Sequence, residues 1–143
     1  MNSLVIEPDL VKSVKIMQGY DDFVHMTKRD IANGRPSSFT IDNKGATFFK
    51  NRLVVTRYRG KHENLDRTPH VMKAAHDSPL SIHPGSTKMY QDLRQQFWWP
   101  NMKQDIARYV SECDVCRRVK GEHQKPSGTL KPPEIPVWKW DKV

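Results

Sequence analysis

Four residues in the second half of the chain, His76, His83, Cys113 and Cys116, constrain its fold more than any other feature. Their spacing is His-x6-His, then 29 residues, then Cys-x2-Cys. Two imidazoles and two thiolates suit tetrahedral Zn²⁺, and Cys-x2-Cys lets two sulfurs reach one ion across a tight turn. The surrounding stretch, residues 67–120, is only 54 residues long, a size at which a small core usually needs a staple. With all four positions filled by protein, no bound water is left to activate, so one such ion would be structural. Plainer readings stand beside this one. A Cys-x2-Cys pair also serves as a redox dithiol, although that usually sits at a strand-to-helix junction of a βαβ unit, and no such unit is visible. The cysteines can equally be two buried thiols, and His76 and His83 ordinary surface histidines. His25, His62, His70 and His123 show no ligand spacing, and His70 is the nearest rival to His76.

The rest of the pattern predicts a small α+β chain. Residues 8–33 read as helix in one or two pieces, with Pro8 in the first turn, Leu10, Val14 and Met17 at i, i+4 and i+7, and Gly19 as an interruption. Phe23, Met26 and Ala32 continue an apolar face until Gly34 and Pro36 stop it. Ser38-Phe39-Thr40-Ile41, the turn residues Asp42-Asn43-Lys44-Gly45 and Thr47-Phe48-Phe49 then predict a hairpin, and Leu53-Val54-Val55 a third strand. An isolated hairpin is marginal in water, so these strands should pack on the preceding helix.

Residues 57–66 are polar and read as a loop. Three short helices follow. Thr68-Pro69 resembles an N-cap with proline behind it, opening a helix that turns Val71, Met72 and Ala75 inward and ends near His76. Ser86 can cap a second helix carrying Tyr90, Leu93 and Phe97 as far as Pro100. Asn101 and Gln104 resemble a capping box for a third, with Met102, Ile106, Tyr109, Val110 and Cys113 on one face. Phe97, Trp98 and Trp99, with Trp138 and Trp140 further on, can stack on bases, but aromatics beside a helix end more often plug a small core; Phe97 and at least one tryptophan are assigned there. Three regions result: an extension over residues 1–58, a zinc-stapled region over residues 67–120, and a Pro-rich linker over residues 121–143.

Charge bears on partners. The formal net charge is +8 with a pI near 9.6, which favours polyanions, nucleic acid first and acidic membrane second. The excess sits in two blocks, net +6 over residues 44–73 and net +4 over residues 117–131. No apolar run approaches the roughly 18 residues that span a bilayer, and Met1-Asn2-Ser3-Leu4 does not open a secretory signal. Two cysteines make no disulfide framework, so a reducing compartment is expected.

The zinc quartet, His83-Pro84-Gly85 with Thr87-Lys88, the Trp99-Pro100-x-Met102 turn and Tyr109-Val110-x2-Cys113-x2-Cys116-x3-Lys120 together closely resemble the His-His-Cys-Cys region of integrases from gypsy-type LTR retrotransposons. The resemblance is strong over residues 71–143. It is weaker over residues 8–58, which look like the integrase N-terminal extension. It implies one structural zinc on His76, His83, Cys113 and Cys116. It also implies DNA, met at element ends through its phosphates, as the partner, integrase protomers or the remaining polyprotein beside it, and the nucleus as the place of action.

That family joins element DNA to a chromosome with a ribonuclease-H-like domain whose two Asp and one Glu hold divalent metals. The tail resembles the linker to that domain, and Asp141 falls just ahead of where its first aspartate would stand, so a non-catalytic role is expected. Arg117, Arg118 and Lys120 are the expected backbone contacts, with Arg57 and Arg59 behind them. Two alternatives remain open: a polyprotein piece taking part in strand transfer with a catalytic core in trans, and a domesticated zinc-dependent partner-binding module. The second meets an objection, since the usual finger places its cysteines before its histidines.

Overall fold

The computed structural model describes residues 6–57, 63–79, 82–119 and 128. Helix α1 (Pro8–Met17) opens with proline in its first turn, where the missing N–H costs nothing. Gly19 falls in a single 3₁₀ turn (Gln18–Tyr20) that breaks the helical run as its sequence position suggests. Helix α2 (Asp22–Ala32) restarts behind Asp21, whose carboxylate accepts the Phe23 N–H at 2.8 Å.

The hairpin forms where expected. Strands β1 (Phe39–Ile41) and β2 (Thr47–Phe49) pair antiparallel, with Phe39 opposite Phe49, and Gly45 takes the positive φ of the turn between them. Strand β3 (Arg52–Val54) returns after Lys50 and Asn51, both at positive φ. Two consecutive residues in that region are what a tight hairpin turn of matching twist requires.

Four helices follow among the described residues: α3 (Thr68–His76), α4 (Ser86–Leu93), α5 (Met102–Glu112) and a short α6 (Asp114–Val119). Local details depart from the sequence reading in several places, among them Ser86, which is the first residue of α4 behind Gly85 and does not cap it. The second helix does not reach Pro100; it ends at Leu93, and Phe97–Trp98 form strand β4, parallel to β3. Backbone bonds from Leu53 N–H to Gln96 O at 2.8 Å and from Val55 N–H to Trp98 O at 2.9 Å secure it. Asn101 makes no side-chain cap; it sits in the left-handed region at φ 61°, a conformation Asn tolerates, and its carbonyl accepts the Gln104 and Asp105 N–H groups. At α3 the capping side chain is Asp66, which takes both the N–H and the hydroxyl of Thr68 at 2.9 and 2.6 Å.

One buried cluster joins Val14, Ala46, Leu53 and Val55 to Val71, Ala75, Met89, Leu93, Phe97, Trp99 and Ile106. The core and the β3–β4 pairing therefore run continuously from the extension into the helices that carry the quartet. Phe97 and Trp99 are both 1% exposed, as assigned, while Trp98 is half-buried and stacks on Phe49 with ring centres 4.4 Å apart. Trp138 and Trp140 lie outside the described residues, as does the linker apart from residue 128.

Gln18 is the polar exception within this packing. It is 1% exposed, accepts the Thr47 N–H at 2.8 Å and donates to the Thr47 and Val54 carbonyls at 3.0 and 2.6 Å. Gln18→Leu keeps the volume but strips these buried backbone groups of a partner, each costing about 1–3 kcal/mol. Urea unfolding is expected to show a loss of at least about 2 kcal/mol. A variant as stable as the parent would mean that water replaces the amide.

Candidate metal centre

His76 ends α3 and is 1% exposed. The chain then turns back, closed by a bond from the His83 N–H to the His76 carbonyl at 3.0 Å. His83 holds φ 48°, in the left-handed region. Histidine enters it more readily than most residues, and the following Pro84 disfavours the right-handed helical alternative. The two imidazoles meet edge to face, ring centres 4.7 Å apart. From the other side, α5 stops at Cys113, which is extended at φ −72° and ψ 116°, and α6 begins one residue later. Cys116 is buried on α6, while Cys113 is partly exposed. The sequence reading had one helix closing at Cys113 with Cys116 a turn on; the structure resolves that turn as a helix of its own.

The donor atoms converge. His76 Nε2 lies 3.0 Å from His83 Nδ1 and 3.5 Å from Cys116 Sγ, and His83 Nδ1 lies 3.4 Å from Cys113 Sγ. All four donors fall within 4.8 Å of one another. A tetrahedral zinc with bonds of about 2.0 Å to nitrogen and about 2.3 Å to sulfur sets edges of about 3.3 Å between nitrogens and about 3.5 Å between nitrogen and sulfur. The nitrogen–nitrogen and nitrogen–sulfur distances in the protein match those edges to within a few tenths of an ångström. Two thiolates balance the charge of the ion, and four protein donors leave no open position, so the chemistry here is structural. A redox dithiol would need no imidazoles at this distance.

Tyr109 covers one side, its ring edge-on to His76 at 5.4 Å. Burial, with the charges of Asp77 and Cys113 nearby, pushes its phenol above the usual tyrosine range, so it stays a neutral lid.

The basic residues divide. Arg117 and Arg118 are exposed on α6. Lys120 and Arg59 lie outside the described residues. Arg57 is engaged within the molecule: its guanidinium donates to Asp105 at 3.0 Å and to the Pro100 carbonyl at 2.9 Å, with 16% of the side chain exposed. The physical reason is Asp105, a carboxylate on the buried face of α5 beside Met102 and Ile106, which needs a cation. That signal was present in the sequence, because an acid at the i+3 position of an apolar face asks for a partner. Of the other histidines, His25 is exposed with Nε2 2.7 Å from the Gly19 carbonyl, and His70 is exposed on α3, neither joining the quartet.

Comparison with known proteins agrees with this geometry. The family model for the integrase zinc binding domain matches residues 64–122, which contain all four donors. The chain is 34% identical over 96 residues to a Pro-Pol polyprotein of feline foamy virus, a match covering 65% of this chain and 8% of that protein. It is 32% identical over 68 residues to the transposon Tf2-3 and Tf2-4 polyproteins of Schizosaccharomyces pombe, covering 48% of this chain and 5% of theirs. The chain thus spans less than a tenth of the length of these relatives. Among the described residues no helix is long and apolar enough to cross a membrane. Residues 64–122 match the integrase zinc-binding domain, and the similarity to Pro-Pol and Tf2 polyproteins is consistent with the gypsy-type resemblance.

Proposed function

We propose that this chain acts as the zinc-binding, DNA-contacting front of a retrotransposon integrase, adding contact with element ends and self-association to DNA integration in the nucleus. The observation that carries the reading is the pair Arg117 and Arg118, exposed directly after the donor Cys116 on α6. A metal fixed at Cys116 holds this short helix in place, and with it two cations whose chemistry suits phosphate oxygens. The net charge of +8 supplies long-range attraction. Exposed Ile16, Tyr20 and Met26 on the first helical segments, each above 60% exposure, support self-association. The role is binding, since the metal has no free position; labelled DNA ends with Mg²⁺ and the chain alone should yield no joined or trimmed product.

Titration of a labelled duplex at several salt concentrations tests the reading. Affinity should fall as salt rises, and Arg117→Gln with Arg118→Gln should flatten the slope of log affinity against log salt by about 2. Binding that ignores salt would overturn it.

A further inference from the structure

The groove between α4 and α5 carries polar side chains of one kind, set beside Ala107. Ser86, Thr87, Tyr90, Gln91, Arg94 and Lys103 surround a cavity of about 270 Å³, and no carboxylate lines it. Every polar side chain there can donate a hydrogen bond, and two carry positive charge. The Arg94 guanidinium lies over the Tyr90 ring, 5.8 Å from its centre. The nearest acid on α4, Asp92, is already engaged by Lys88 at 3.1 Å. Neither Arg94 nor Lys103 forms an ion pair with a carboxylate among the described residues. By contrast, Arg57 is paired with Asp105 and donates to the Pro100 carbonyl.

We infer that the α4–α5 groove seats a backbone phosphate of duplex DNA, with Arg94 and Lys103 as the charged contacts and the Ser86, Thr87 and Gln91 side chains as neutral donors. This rests on the DNA-binding reading above and adds to it a second contact, on different helices from Arg117 and Arg118. Two cations from separate elements flank the phosphate, and the rigid packing of α4 on α5 through Met89, Leu93 and Ile106 fixes their spacing. Such a contact positions the duplex without reading its bases.

The test uses the full zinc-loaded chain and a labelled duplex followed by fluorescence anisotropy across a salt series. Arg94→Gln with Lys103→Gln should flatten the salt slope by about 2 and weaken binding on the order of tenfold at low salt. The control is Lys12→Gln with Arg29→Gln, which removes equal charge from the exposed surfaces of α1 and α2 and should leave the slope close to the parent value. Zinc content and circular dichroism of both variants should match the parent, since all four side chains are exposed. If the parent binds with a normal slope and the groove variant does the same, or if the control flattens it equally, the groove is not the site while the wider DNA reading stands. If the parent itself does not bind the duplex, both readings fall.

Discussion

Stripping zinc from the purified chain is expected to abolish the helical circular-dichroism signal and, in the same step, the shielded emission of buried Trp99. A structural zinc site contributes on the order of 10–16 kcal/mol of apparent binding free energy. A domain of ordinary size is stable by only about 5–15 kcal/mol. Removing the ion leaves His76 and Cys116 buried around an empty centre, and the loss is as large as the whole stability of an ordinary domain. The extent of the loss follows from the core. Val14, Ala46, Leu53 and Val55 pack in one cluster with Val71, Ala75 and Ile106, and β4 pairs with β3 across the same boundary. Collapse of the zinc-bearing helices therefore removes the floor beneath the sheet, and the two should melt together rather than in sequence. Metal analysis should return one equivalent of zinc per chain, and refolding should require its return. A metal-free preparation with full helical signal would overturn the structural role of the ion. A sheet that survives chelation would show that the extension folds independently.

The centre was legible because its signal is local and chemical. Four donor residues at fixed spacing name a tetrahedral ion before any coordinates are known, and the helices bearing them carry strong apolar periodicity. The hairpin was legible for a similar reason, since Asp42 to Gly45 supply turn chemistry between two short aromatic runs. What escaped is what depends on distant partners. Phe97 and Trp98 look like the end of a helix until β3 offers them backbone partners, and only then does strand pairing win over helical continuation. Gln18 looks like a polar interruption after a helix, yet its amide completes bonds to residues 29 and 36 positions away. Arg57 falls in a block of net positive charge and so suggests solvent and phosphate, whereas the ion pair it makes, with Asp105, spans 48 positions. Charge blocks report how many cations a segment holds, and tertiary packing decides which of them remain available.

The Arg57–Asp105 pair leads to the second large effect. Both side chains are largely buried, 16% and 9% exposed, and the carboxylate also accepts the Trp99 Nε1–H at 3.2 Å. The guanidinium links the segment that follows β3 to the Pro100 carbonyl and to α5 at once, so it pins the extension onto the zinc-bearing helices. Asp105→Ala removes one carboxylate and leaves two donors stranded, a charged guanidinium and an indole N–H. Breaking a buried pair in this way typically costs about 3–5 kcal/mol. Denaturant unfolding of the zinc-loaded variant is expected to show a loss in that range. Replacing both partners together, Arg57→Met with Asp105→Leu, should recover much of it, because no buried charge is then left alone. DNA affinity gives the independent readout. Since Arg57 is committed inside the molecule, the double replacement should leave the salt slope of duplex binding unchanged, whereas a loss of about one unit would return Arg57 to the phosphate-binding surface.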